Sequence, residues 1–124
     1  MQPNSFLSVS YTHLDLDSSL QWGAFRRIVS TLRQRGNDLF VILGPFNENM
    51  VAPENRALYE QMRDAVASWL AQNNVPHLAP AVLPSPLYAD ASHPLTGGYA
   101  QLAREVLASA EFQTWMKTGN DSVK

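Results

Sequence analysis

The chain has 124 residues, enough for one domain with a modest core. An apolar share of 45%, with three Trp, five Phe and four Tyr, excludes a disordered composition, and a net charge of -2 with dispersed basic residues excludes a nucleic-acid footprint. The absence of cysteine excludes disulfides and thiolate metal sites and leaves the cellular compartment open.

Residues 5–11 alternate, with Phe6, Ser8 and Ser10 opposite Leu7, Val9 and Tyr11, which predicts a half-buried first strand. His13, Asp15 and Asp17 follow at alternate positions, so extended chain puts all three on one side. That makes 13–17 the best metal candidate. A helix-capping segment with a surface histidine is the preferred account, and no metal or cofactor is assigned. Asp17 or Ser18 is placed to cap a helix, Ser18 and Gln21 having capping-box spacing. The helix runs to about Arg35 on a stripe of Trp22, Phe25, Ile28, Val29 and Leu32, and Gly36-Asn37 stops it.

Residues 39–43 (Leu-Phe-Val-Ile-Leu) show no alternation and predict a strand covered on both faces, as in a parallel sheet. This is the longest apolar run and is too short to span a bilayer; no basic region with an apolar core opens the chain, so no signal peptide is expected. Gly44 and Pro45 end the strand, and 46–50 form a polar loop around Phe46. A second helix is expected from Pro53-Glu54 to about Asn73, with Leu58, Met62, Val66, Trp69 and Leu70 inward. Residues 75–82 predict a short or edge strand, interrupted by Pro76 and Pro80 and holding His77 as a core or edge histidine. After an irregular loop over 83–88, a helix begins near Tyr99 and turns Tyr99, Leu102, Ala103, Val106, Leu107 and Ala110 inward. A further turn is expected at 111–117, giving one α/β domain over 1–117 and a flexible tail at 118–124.

The order strand, helix, strand, helix, strand, helix predicts a three-layer α/β/α arrangement with a short parallel sheet. So narrow a sheet needs its edges covered, so a homodimer or association with a missing N-terminal half is expected. Ligands of such sheets bind beyond the carboxyl ends of the strands. The polar clusters at 13–17, at Asn47-Glu48-Asn49 and at Asp90 and His93 all follow predicted strands.

The most informative stretch is 88–99, Tyr-Ala-Asp-Ala-Ser-His-Pro-Leu-Thr-Gly-Gly-Tyr. An Asp three residues before a His on a short rigid turn can orient the ring and fix its tautomer, leaving the other nitrogen to move a proton. Asp90-x-x-His93-Pro94-x-x-x-Gly98-Tyr99-x-x-Leu102-Ala103 resembles the last conserved block of the SGNH/GDSL hydrolases, a class of esterases and acyltransferases. The likeness covers roughly residues 38–110 and implies a partial SGNH, flavodoxin-like architecture. It implies that Asp90 and His93 are the carboxylate and base of a Ser-His-Asp triad. Gly44-Pro45-Phe46-Asn47-Glu48 resembles a loop of acyl-transfer relatives, including the D-alanyl-lipoteichoic-acid transfer proteins, which implies Asn47 as a substrate-binding hydrogen-bond donor.

The Gly-Asp-Ser nucleophile motif and the Gly-x-Asn-Asp block of that family do not occur in this sequence. Ser5, Ser8, Ser10 and Ser92 supply hydroxyls, but none lies on a Gly-flanked strand-to-helix turn. The expectation is an SGNH-like ester or acyl hydrolase or acyltransferase fragment, inactive alone, whose substrate would be a small-molecule or polysaccharide ester. The alternative is a non-catalytic α/β binding or assembly module.

Overall fold

A computed structural model describes residues 16–123, and the strand expected at 5–11, together with His13 and Asp15, lies outside them. The described part holds four α-helices and one two-stranded parallel sheet, a mostly helical composition compatible with a small α/β fold. No helix among the described residues is long and apolar enough to cross a membrane.

Helix α1 (Leu20–Gln34) is capped by Ser19, whose hydroxyl accepts the Trp22 amide at 3.2 Å. The cap falls beyond the expected Asp17 or Ser18 because Leu16–Ser18 form a 3-10 turn that feeds the helix. α1 ends as expected at Gly36, which at φ 82° lets the Asn37 amide reach back to the Leu32 carbonyl at 3.0 Å. Helix α2 (Arg56–Gln72), entered through a 3-10 turn at Pro53–Asn55, closes in the same way. There Asn74 takes φ 54° and the Val75 amide bonds to the Leu70 carbonyl at 2.8 Å. Arg33 of α1 donates to the Asn73 and Asn74 carbonyls, so the end of α2 is tied to α1 by a cation that also suits its dipole.

Strand β1 (Val41–Ile42) pairs in parallel with β2 (His77–Leu78), Val41 opposite His77 and Ile42 opposite Leu78. Both strands are shorter than the runs 39–43 and 75–82 suggest. Pro76 and Pro80 have no amide to extend the ladder, and the chain leaves β1 at Gly44 and a cis Gly44–Pro45 peptide. Val29, Leu70 and Val75 form the buried centre, with Phe25, Leu39, Val41, Leu43, Val66 and Trp69 packed around it. Trp22 stacks on Phe25 and meets Trp69 edge-on at 5.2 Å, which extends this core between α1 and α2.

The opposite face of β1 is only partly covered, contrary to the expectation of cover on both sides. Phe40 packs edge-to-face on Phe112, 5.2 Å between ring centres, and lies 5.6 Å from Trp115, whereas Ile42 is exposed. The two aromatic partners come from α4 (Ala110–Val123), which is a full helix rather than a single turn and takes in residues expected to form a tail.

Expected core assignments fail at five positions, Ile28, Tyr99, Ala103, Leu107 and Ala110, all of them exposed. Ile28 is 55% exposed because it lies off the face that carries Trp22 and Val29. In α3 (Thr96–Ala108) Tyr99 and Leu107 are 51% and 60% exposed; of the expected stripe Leu102 and Val106 do turn inward, and Gly98 joins them. That i, i+4, i+8 line is set by Gly98, where a Cβ would stand 2.7 Å from the Leu87 carbonyl oxygen and 3.0 Å from Pro94 Cβ. The absence of a side chain there lets the first turn of α3 sit directly on the hairpin that precedes it.

Candidate active site

That hairpin is built from backbone pairing on both sides of its tip. Tyr88 and Pro94 form an antiparallel bridge, the Ala89 amide donates to the His93 carbonyl at 2.7 Å, and the Leu95 amide donates to Leu87 at 2.7 Å. Residues 90–92 are therefore a closed tip rather than free loop. Asp90 organises the tip: one carboxylate oxygen accepts the Ser92 and His93 amides, each at 2.8 Å.

The same carboxylate meets the His93 ring, with Nδ1 2.9 Å from both Oδ1 and Oδ2. An ionised carboxylate only accepts, so Nδ1 carries the hydrogen and Nε2 is the nitrogen with a free lone pair. Asp90 is held below its ordinary pKa by the Ser92 amide first, then by the His93 ring and the His93 amide. Both side chains stand in solvent, Asp90 at 55% and His93 at 67% exposure, so no burial strengthens the pair.

Ser92 Oγ lies 3.1 Å from His93 Nδ1, on the nitrogen already committed to Asp90. A serine activated by this ring would have to meet Nε2, so Ser92 braces the turn and does not fill the position of a nucleophile. Ser5, Ser8 and Ser10 lie outside the described residues.

Asn47 lies next to this tip although 43 to 46 positions separate it from Asp90 and its neighbours in sequence. Its backbone amide donates to the Ala91 carbonyl at 2.9 Å, and its side-chain oxygen accepts from the side-chain Nδ2 of Asn49 at 3.3 Å. It is 5% exposed and is the one buried polar residue among the described residues. Tyr88 provides a second tie to the same loop. Its buried hydroxyl accepts the Leu83 amide and lies 3.2 Å from the Pro45 and Phe46 carbonyls, to one of which it donates. Asp90, His93 and Asn47 are thus brought onto one pair of interlocked loops.

Glu48, which the sequence marks only as part of the polar cluster at 47–49, turns to the other side of its loop. Its carboxylate, 18% exposed, takes Arg63 at 2.8 Å and Arg56 at 3.7 Å, and Arg56 also donates to the Glu48 carbonyl at 2.7 Å. Tyr59 joins this network, and its pKa is raised by burial first and then by the Glu48 charge. The signal for it in the sequence is the spacing of Arg56, Tyr59 and Arg63, which puts all three on one face of α2. A cavity of about 380 Å³ lined by Leu43, Pro45, Glu48, Arg63 and residues 79–82 opens at this place, beyond the carboxyl ends of both strands.

The other polar candidates separate from the site. Asp17 is in the 3-10 turn before α1, and His77 is half-buried in β2 with Nδ1 bonded to the Val75 carbonyl at 2.8 Å. Among the described residues no group of three or more His, Cys, Asp or Glu side chains gathers to hold a metal. Comparison with family models, with curated proteins and with solved structures returned no match to this chain.

Proposed function

We propose that this chain carries the acid–base arm of an SGNH-type ester or acyl hydrolase or acyltransferase. The single observation that carries this reading is His93 Nδ1 at 2.9 Å from both oxygens of Asp90, in a tip that bonds to the Asn47 loop. In the proposed reaction Nε2 takes the proton from an attacking oxygen as that oxygen bonds to the acyl carbon. The ring then returns the proton to the departing alcohol. Asp90 holds the Nδ1–H tautomer and offsets the charge that the ring acquires.

In the chain by itself the attacking oxygen is water, which gives only a weak residual hydrolysis; a seryl hydroxyl supplied by another segment or a second polypeptide would complete the reaction. Asn47 is the proposed substrate-side donor: it adjoins the tip through Ala91, and its side-chain nitrogen is not used in the bond with Asn49. A three-layer α/β/α arrangement, its short parallel sheet covered at an open edge by a second copy or by an N-terminal half, belongs to the same proposal. The substrate is a small-molecule or polysaccharide ester.

Hydrolysis of an activated aryl ester by the 124-residue chain tests this reading. The expected result is a rate above that of His93→Ala by at least about threefold, with Asp90→Asn in between; a positioned base contributes roughly 100-fold or more in a complete site. Equal rates for the chain and His93→Ala overturn it and leave the binding or assembly module, a reading favoured by the openness of the pair.

A further inference from the structure

Helix α1 carries Arg26, Arg27 and Arg33 and no acidic residue, in a chain whose net charge is -2. Arg26 and Arg33 stand about two turns apart on one face, with Ser30 between them. Both line a hollow of about 230 Å³ between α1 and the end of α2, where Trp69 and Asn73 form the α2 side. This place precedes the strands in the chain, whereas Asp90 and His93 follow them.

Arg26 is held in position but not paired. Its guanidinium carbon lies 5.8 Å from the centre of the Trp22 ring, and its Nε is buried with no hydrogen-bond partner among the described residues. No carboxylate among those residues forms an ion pair with it. A guanidinium so placed has given up water without gaining a partner, and an anion that reaches its outer Nη groups makes up that loss. Arg33 gives one Nη1 and one Nη2 hydrogen to the Asn73 and Asn74 carbonyls, which fixes its fork and leaves its other N–H donors open.

The sign of the hollow comes from these two side chains. Ser30, Gln34 and Asn73 are neutral and can donate or accept, and neither Asp nor Glu is among the lining residues. Val29 and Trp69 supply an apolar part of the wall. The volume falls below the roughly 300–1,000 Å³ of sites for drug-sized ligands, so it suits a molecule of a few carbons. Two guanidinium forks on separate turns match two carboxylates better than one compact oxyanion, and the apolar wall matches a short aliphatic link between them.

We propose that this hollow binds a short aliphatic dicarboxylate, one carboxylate on Arg26 and the other on Arg33. The proposal goes beyond the acyl reading and does not depend on it.

Titration of the 15N-labelled full chain with glutarate, with its monomethyl ester and with sulfate, at matched ionic strength and neutral pH, tests it. Glutarate is expected to give saturable shifts centred on the Ser30 and Gln34 amides and the Asn73 side-chain amide. It is expected to bind roughly two- to fivefold more tightly than either the ester or sulfate, the scale of one half-exposed ion pair. Arg26→Met, which keeps an apolar stem on Trp22 and removes the charge, is expected to bring glutarate and its ester to one affinity. The absence of saturable shifts, equal affinities in the unmodified chain, sulfate binding as tightly as glutarate, or a preference that survives Arg26→Met each overturns the proposal. Should the variant fold poorly, the three ligands on the unmodified chain decide.

Discussion

The amide of Asn47 donates to the carbonyl of Ala91 at 2.9 Å, and this bond joins the loop after β1 to the tip that presents Asp90 and His93. Tyr88 adds a second link, from its hydroxyl to the Leu83, Pro45 and Phe46 backbone. The ring of His93 is therefore aimed by the sheet as well as by its own turn.

Tyr88→Phe removes the hydroxyl and leaves the Leu83 amide and a loop carbonyl without their partner in a buried place. The expected cost is about 1–3 kcal/mol in denaturant unfolding, the usual penalty for an orphaned buried group. Faster amide exchange at Ala89 and Leu95 is expected beside it, because the hairpin loses its anchor.

Gly97 and Gly98 are expected to respond oppositely to alanine. At Gly98 the new Cβ meets the Leu87 oxygen at 2.7 Å, Pro94 Cβ at 3.0 Å and Leu83 Cδ1 at 3.2 Å, so α3 must shift off the hairpin. A loss of about 1–3 kcal/mol is expected, larger than the helix propensity gained. At Gly97 the nearest neighbour is a leucine methyl at 3.7 Å, and the substitution is expected to raise stability by up to about 1 kcal/mol. Thermal melts of the two variants decide.

The Asp90 tip is expected to be acid-sensitive. Its folded-state pKa is lowered from 3.8, so the carboxylate contributes stability above that value, and the contribution is lost as pH falls through the lowered one. The Ser92 and His93 amide signals, followed against pH, are expected to move together in that acid range. In Asp90→Asn the movement is expected to vanish and the His93 tautomer to lose its preference for Nδ1–H, read from the ring 15N shifts.

Glu48 and Tyr59 are expected to be linked. Glu48→Gln removes the charge that raises the Tyr59 pKa, so that pKa is expected to fall toward 10.0 yet stay above it, burial being the larger cause. Since a raised phenol pKa contributes stability that is lost as pH climbs through it, the variant is expected to lose less stability between neutral and strongly alkaline pH than the parent. NMR titration of ring-labelled tyrosine follows the first effect, and alkaline unfolding the second. At neutral pH Glu48→Gln is expected to cost about 1–3 kcal/mol, since Arg56 and Arg63 lose a half-buried charged partner.

Features governed by neighbours in the chain were legible beforehand. Gly36-Asn37 ends α1 because a left-handed residue is needed there, and Asp90 reaches His93 because three residues in a turn bring them together. The inward stripe of α2, Leu58 to Leu70, follows from helical spacing alone. Positions decided by remote contact were not legible: Ile28 is apolar yet no element among the described residues covers it, and Tyr99 and Leu107 yield the inward edge of α3 to a glycine.

Sequence by itself determined where α1 and α2 stop, the pairing of a carboxylate with an imidazole, and which strand segments are too proline-rich to extend. These rest on dihedral preferences and on contacts within about four residues, which the chain carries wherever it folds. Tertiary structure alone decided that Asn47 would lie beneath Ala91, that Glu48 would turn away to Arg56 and Arg63, and that Gly98 would be a contact surface. Each depends on distances between segments far apart in the chain, and those are fixed only when the apolar faces of α1, α2 and the sheet have closed on Val29, Leu70 and Val75.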